Sequence, residues 1–316
     1  MSQLNISNKF PVIGILFVGV IAASTGAIFI RLAQADGVAS FVIAAVRLLL
    51  ASVILIPISF VKYRSQIYKF HKIDWFFFLL SGFFLACHFA FWISSLEYTS
   101  IASSVILVST TPIWVIIIGS IFLNESSNKV IVLGMLIAIV GSIIIGLDDI
   151  CSIQINRVTC AANAAVDNNS FIGDFLALLG AFSAAGYLLI GRRFRSRIPL
   201  IPYISIVYFL SALILITISV ISRKPFVGFP PITYLWLILL ALIPQLVGHS
   251  IINWSLKFLP PSVVSVSLLG ESIGSSLFAY LLFSENVSFI KFSGFLLLLL
   301  GIWFSTRDKP AKGISV

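Results

Sequence analysis

Glu271 is the only charged residue between Lys257 and Glu285. A carboxylate in the middle of so apolar a run costs about 2.5–3.5 kcal/mol on membrane-insertion scales, so it must face a protein interior or an aqueous cavity. Ser267 and Ser275 stand four residues to either side and share its helix face. Two chemistries fit: contact with a solute amine, or exchange of a proton. A structural, hydrogen-bonded glutamate is the alternative. Arg47 poses the same problem with opposite sign. It lies some nine residues into an apolar run, about 13 Å deep at the helical rise. At that depth it needs a partner or a wet cavity. Glu271 is one candidate partner, and carbonyls at a helix break are another.

Other polar residues recur at helical spacing. Gln245, His249 and Asn253 fall four apart, beside Pro244. His88 and Trp92 do the same. Either set could line a solute path, and a histidine could move protons because it titrates near neutrality. Interhelical hydrogen bonding is the plainer role, at about 0.6 kcal/mol each. Ser103, Ser104, Ser109, Thr110 and Thr111 precede Pro112, where hydroxyls can satisfy backbone groups freed by the proline or touch solute. No GxxxxGK[ST] appears, so ATP drive is not expected. No HExxH, GxSxG or paired metal-ligand spacing appears either. The sequence thus predicts no enzyme, cofactor or metal.

These residues must be positioned by membrane helices. Hydrophobic residues make up 59% of the 316 and charged residues only 10%, with mean hydropathy +1.12. Soluble domains carry about 25% charge. Apolar runs of crossing length, roughly 17–25 residues, lie between Lys9 and Arg31, at 38–61, between Asp74 and Glu97, at 99–123, between Lys129 and Asp148, between Asp174 and Arg192, and at 199–222, 233–255, 262–283 and 288–306. Ten helices follow, since backbone in lipid must pair within its own segment. The run after Lys9 is too long for a signal-peptide core and reads as the first crossing.

The net charge of +9 does not imply nucleic acid, because the basic residues sit between the apolar runs. With the N-terminus cytoplasmic, the inner segments hold Lys9, Lys62, Arg64, Lys69, Lys72, Lys129, Arg192, Arg193, Arg195, Arg197, Lys257, Arg307, Lys309 and Lys312. The outer segments hold Arg31, Arg157, Arg223, Lys224 and Lys291. The positive-inside rule then predicts both termini inside. The cluster at 192–197 reads as a topology determinant and lipid-headgroup contact. Cys151 and Cys160 fall in the longest outer loop, where an oxidising compartment allows a disulfide; two unpaired thiols are the alternative.

A shift of 160 residues superposes Gly26 on Gly186, Leu96 on Leu256, Glu125 on Glu285, Gly134 on Gly294 and Gly141 on Gly301. Five matches at one offset indicate duplication. Five crossings per half is an odd number, so the second half enters the membrane inverted. Inverted repeats are a recurring carrier design with the solute site near the midplane. The expected fold is therefore all-α, with repeats at 1–148 and 173–316 joined by an outer loop at 149–172.

HFAFWISSLEYTSIASSVILVSTTPIWVIIIGSIFLNE, followed by GMLIAIVGSIII, resembles the EamA-type repeat of the drug/metabolite transporter superfamily. NWSLKFLPPSVVSVSLLGESIGSSLFAYLLFSENVSFIKFSGFLLLLLGIWF resembles its partner repeat. The resemblance spans roughly 12–306. It implies ten helices, cytoplasmic termini and transport of amino acids, metabolites or drugs, often as export; the family also includes metabolite uptake carriers. It marks Glu271 as a glutamate common in such repeats. Pro112 matches a proline common in the fourth helix, but Ser272 stands at the second-half position. The expectation is a secondary carrier for a small solute, an amino acid or a related metabolite. It would sit in a bacterial inner membrane and work by alternating access, with proton coupling open. Uptake of a nucleotide- or S-adenosylmethionine-like solute is the runner-up, ahead of an intramembrane enzyme or a receptor.

Overall fold

The computed structural model describes residues 6–99, 101–122, 128–154, 157–160, 168–283 and 288–307. Apolar composition drives nearly all of them into helix. The first half comprises α1 (Ile6–Ala35), α2 (Ser40–Ile67), α3 (Lys72–Tyr98), α4 (Ile101–Val108), α5 (Thr111–Phe122) and α6 (Lys129–Ile150). The second comprises α7 (Asn168–Arg195), α8 (Leu200–Ile221), α9 (Pro231–Leu240), a π-helical stretch (Ala241–His249), α10 (Ser250–Ser255), α11 (Pro261–Leu268), α12 (Glu271–Phe283) and α13 (Phe289–Arg307). Eight helical segments are long and apolar enough to cross a membrane, and Lys129–Ile145 is a shorter apolar one. The tenth crossing is α11 with α12, divided at Leu269-Gly270. Between the halves, β1 (Cys151–Gln154) and β2 (Arg157–Cys160) form an antiparallel hairpin inside the predicted loop. Its register sets Cys151 opposite Cys160, and the side chains of both lie outside the described residues, as do Glu125 and Glu285.

The helix interfaces come in matched sets. α3 packs on α7, and its counterpart under exchange of halves is α1 on the α9–α10 segment. α2 packs on α8 and α6 on α13, each helix against its own repeat mate. Glycines show the sense of these pairs. A β-carbon at Gly134 would lie 2.7 Å from the Gly301 carbonyl oxygen, and one at Gly141 would lie 2.7 Å from that of Gly294. The lower number on α6 meets the higher number on α13, so the two mates run antiparallel and the halves are inverted. Gly26 packs on Pro244 and Gly186 on Phe84, and those partners are also 160 residues apart. Small residues here let backbones touch where lipid offers no hydrophobic drive for association.

The fourth helix of each half breaks at the same repeat position. α4 gives way to α5 across Ser109-Thr110, and α11 to α12 across Leu269-Gly270. At both breaks the backbone tightens to i→i−3 hydrogen bonds: Thr110 N to Leu107 O at 3.1 Å, and Gly270 N to Ser267 O at 3.0 Å. The break therefore does not need the proline that the second half lacks. Thr111 and Glu271 become the first residues of the re-started helices.

Residues assigned to one side of the membrane meet at one end of the bundle. At the end predicted to face outward, Thr233 donates to Asp36 at 2.6 Å and Thr99 to Asp174 at 2.7 Å. At the inner end, Arg197 pairs with Asp74, which also caps α3 by accepting from His71 N. Arg192 donates to Leu256 O at 2.7 Å. Arg195 is buried and donates to Asn253 O and Ile198 O. The arginine cluster is thus mainly a helix-end clamp. Arg193 is exposed and lies over the Phe77 ring.

Candidate functional site

The site lies where α1, α2, α3, α8, the π stretch and the broken helices converge. Arg47 is 1% exposed. Its Nε donates to Gln245 Oε1 at 3.0 Å, and its guanidinium sits 4.1 Å from the centre of the Phe89 ring. A buried cation needs such compensation, and an aromatic face supplies part of it. Arg47 is also within electrostatic reach of Tyr208 and Glu271, and of His88 and His249. Arg47 and Glu271 form no direct ion pair; the arginine's close polar partner is Gln245.

Glu271 opens α12 and is half-buried. A negative side chain is favoured at a helix N-terminus. Its carboxylate meets no hydrogen-bond donor among the described residues. Ser275 donates to Glu271 O at 2.6 Å and lies 3.3 Å from Ser24 O, which seats α12 on α1. Gly274 faces Ser24 directly. Ser267, by contrast, is buried and donates to Val263 O within its own helix. It shares Glu271's sequence face but not its surroundings, because the break re-aims the chain between them. Thr111, Glu271's counterpart, donates to Val108 O at 2.8 Å.

The other predicted residues divide into two groups. Gln245 and His249 join Arg47: Gln245 through its hydrogen bond, and His249 edge-on to Phe89 with ring centres 5.3 Å apart. His88 and Trp92 stack at 5.9 Å, with His88 5.0 Å from the Phe89 ring and its Nδ1 3.0 Å from Gly180 O. Asn253 turns away. It donates to Tyr187 OH at 2.6 Å and to His249 O at 2.7 Å, so it braces α10 against α7.

Sequence spacing missed the tyrosines. Tyr208 is fully buried on α8, and its hydroxyl lies within interaction range of Gln245, Ser250 and Tyr187. Gln245 Nε2, Tyr208 OH and Ser250 Oγ are all buried and lie beside one another, in range but without closing a well-aligned hydrogen bond. Buried polar atoms normally have well-formed partners, so three loosely paired ones beside a guanidinium make this cluster the candidate site. The π stretch was missed as well. Pro244 withdraws one backbone donor there, and the wider turn presents Gln245 and His249 to the cluster; π segments often occur at functional sites. Among the described residues, no group of three His, Cys, Asp or Glu could hold a metal ion.

The EamA-like transporter family model matches residues 10–147 and 171–307, one repeat in each half. The chain belongs to the EamA-like transporter family. It is accordingly a multi-pass membrane protein of a family that transports small solutes. No curated protein matches the chain, whereas 29 chains of solved structure do. One, titled only as the crystal structure of a protein, aligns with TM-score 0.71 at 17% identity, over 94% of this chain and 96% of the other. That likeness concerns the fold. In this EamA-like chain the two family repeats supply mirrored scaffolds, while the polar cluster draws Arg47 from the first and Gln245, His249, Ser250 and Glu271 from the second.

Proposed function

We propose that this protein is a secondary carrier that exports a small metabolite, an amino acid or related solute, across the inner membrane, with both termini cytoplasmic. The observation that supports it best is the group of buried, incompletely hydrogen-bonded Gln245, Tyr208 and Ser250 polar atoms beside Arg47, which is itself within electrostatic reach of the open carboxylate of Glu271. A solute bearing both an acceptor and an amine suits such a set: the acceptor beside the Arg47 group, the amine toward Glu271. Glu271 is also the natural proton carrier, because the same carboxylate can hold either a solute cation or a proton, and exclusive occupancy couples the two fluxes. The re-started helices at Thr111 and Glu271 give each repeat a half-helix, a construction that recurs in carrier sites.

Flux in proteoliposomes tests this. Labelled amino acids and nucleotide-type metabolites, S-adenosylmethionine among them, are offered with and without a pH gradient. At least one solute should move, and Glu271→Gln should lower gradient-driven flux at least tenfold while the protein stays folded. No flux of any solute by well-folded protein would overturn the carrier reading. Unchanged gradient-driven flux in Glu271→Gln would remove this residue from coupling.

A further inference from the structure

A cavity lies at the end of the bundle predicted to face outward, apart from the central cluster. It measures about 510 Å³ and is bounded by the α1–α2 turn, the end of α3, the start of α7 and the loop after α8. Volumes of roughly 300–1,000 Å³ suit small ligands. Its polar wall is organised from buried groups outward. Ser40 is 1% exposed, and its Oγ donates to Glu97 Oε1 at 2.5 Å, with Ser40 N adding a contact at 3.3 Å. Gln34 Nε2 donates to Ser40 Oγ at 3.0 Å. These bonds fix Glu97 at the rim through one oxygen, and the other oxygen has no donor among the described residues.

Lys224 lines the same cavity. α8 ends in a Schellman motif, with Lys224 N bonded to Ser219 O and Arg223 N to Val220 O, each at 3.0 Å. That motif needs a left-handed residue and normally takes glycine. Here Arg223 adopts it, at φ 52°. The matching turn after α1 uses Gly37, at φ 84°. A non-glycine residue carries a local strain in this region, and the next residue along the turn is Lys224. The ammonium meets no partner among the described residues and forms no ion pair with Glu97. One anion and one cation therefore face a shared space without neutralising each other, with Phe41, Phe91 and Leu176 beside them.

We infer that this outer cavity is a binding site for a zwitterion, its ammonium held by Glu97 and Gln34 and its anionic group by Lys224, with an apolar tail against the aromatic wall. Both a free amino acid and a phosphatidylethanolamine headgroup carry that chemistry. The site is separate from the central cluster and does not depend on the carrier reading.

Native mass spectrometry of the full chain in detergent tests it with two probes. These are L-leucine, compared with 4-methylpentanoate, and short-chain phosphatidylethanolamine, compared with phosphatidylglycerol of the same chain length. At least one zwitterion should bind at least tenfold more tightly than its ammonium-free counterpart, and the probe that binds identifies the source. Lys224→Gln should weaken that binding at least tenfold. Because this side chain holds nothing else in place, the variant should fold normally even if Glu97→Gln does not. Glu271→Gln should leave binding unchanged. The inference falls if neither zwitterion outbinds its counterpart, if Lys224→Gln binds like wild type, or if Glu271→Gln abolishes binding.

Discussion

The two halves of this protein share their seams and differ in their middle. Gly134, Gly141, Gly294 and Gly301 do the same work in mirrored places, and the fourth helices break at positions 160 residues apart. In the centre the correspondence ends. Arg47 has Val207 as its mate, Gln245 has Leu85, His249 has Phe89, and Glu271 has Thr111. The hydrogen-bonded pair Arg47–Gln245 thus mirrors the apolar pair Val207–Leu85. The lesson is that backbone approach had to be kept in both halves for inverted packing, whereas polarity was needed only once.

The seam should be least tolerant. A β-carbon at Gly301 would sit 2.5 Å from both Ala138 N and Gly134 O, where no flexible side chain can give way. Gly301→Val should destabilise the fold by about 2–3 kcal/mol, as overpacking does, read as a drop in thermal unfolding temperature in detergent. Wild-type stability in that variant would sever the seam from the architecture.

The central pair should give a smaller and partly reversible effect. Arg47→Val alone leaves Gln245 buried without its partner, and Gln245→Leu alone strands the guanidinium; each should cost about 1–3 kcal/mol. The double variant copies the mate pair of the other half, and replacing both partners removes the orphaned group. It should be more stable than either single variant in the same unfolding assay, yet inactive in the flux assay. A double variant whose loss is the sum of the two singles would show that the pair does not act as a unit.

The breaks should be the most forgiving. Ser272→Pro gives α12 the residue that α5 already has at Pro112. It forfeits the Ser272 N to Leu269 O bond of 3.2 Å and should shift stability by no more than about 1.5 kcal/mol. A larger loss would mean that the two breaks are alike in position but not in mechanics.

Much of this was legible in the sequence. Ten crossings follow from where charge interrupts the apolar runs, and inversion follows from an odd number of crossings per repeat. Glu271 and Arg47 stood out because charge in lipid demands a reason. What stayed hidden depends on contacts between distant segments. Spacing gave Asn253 the same face as Gln245, but the π-to-α transition at Ser250 turns it toward Tyr187. The arginines at 192–197 resembled a headgroup patch, because charge counts do not reveal that Leu256 O and Asn253 O end their helices beside them. The outer cavity could not be read at all, since its walls come from positions as far apart as Gln34 and Lys224.

The closures at the two ends are of different kinds. The inner one joins Asp74 to Arg197, an arginine side chain that is 52% exposed. The outer one is a hydroxyl of Thr233 on the carboxylate of Asp36. An ion pair with a solvent-facing member is screened by salt, and a bond from a neutral hydroxyl is much less so. Ionic strength therefore acts unequally on these two contacts. High salt should loosen the Asp74–Arg197 contact more than the Thr233–Asp36 one, so the two ends answer unequally to the ionic medium around them.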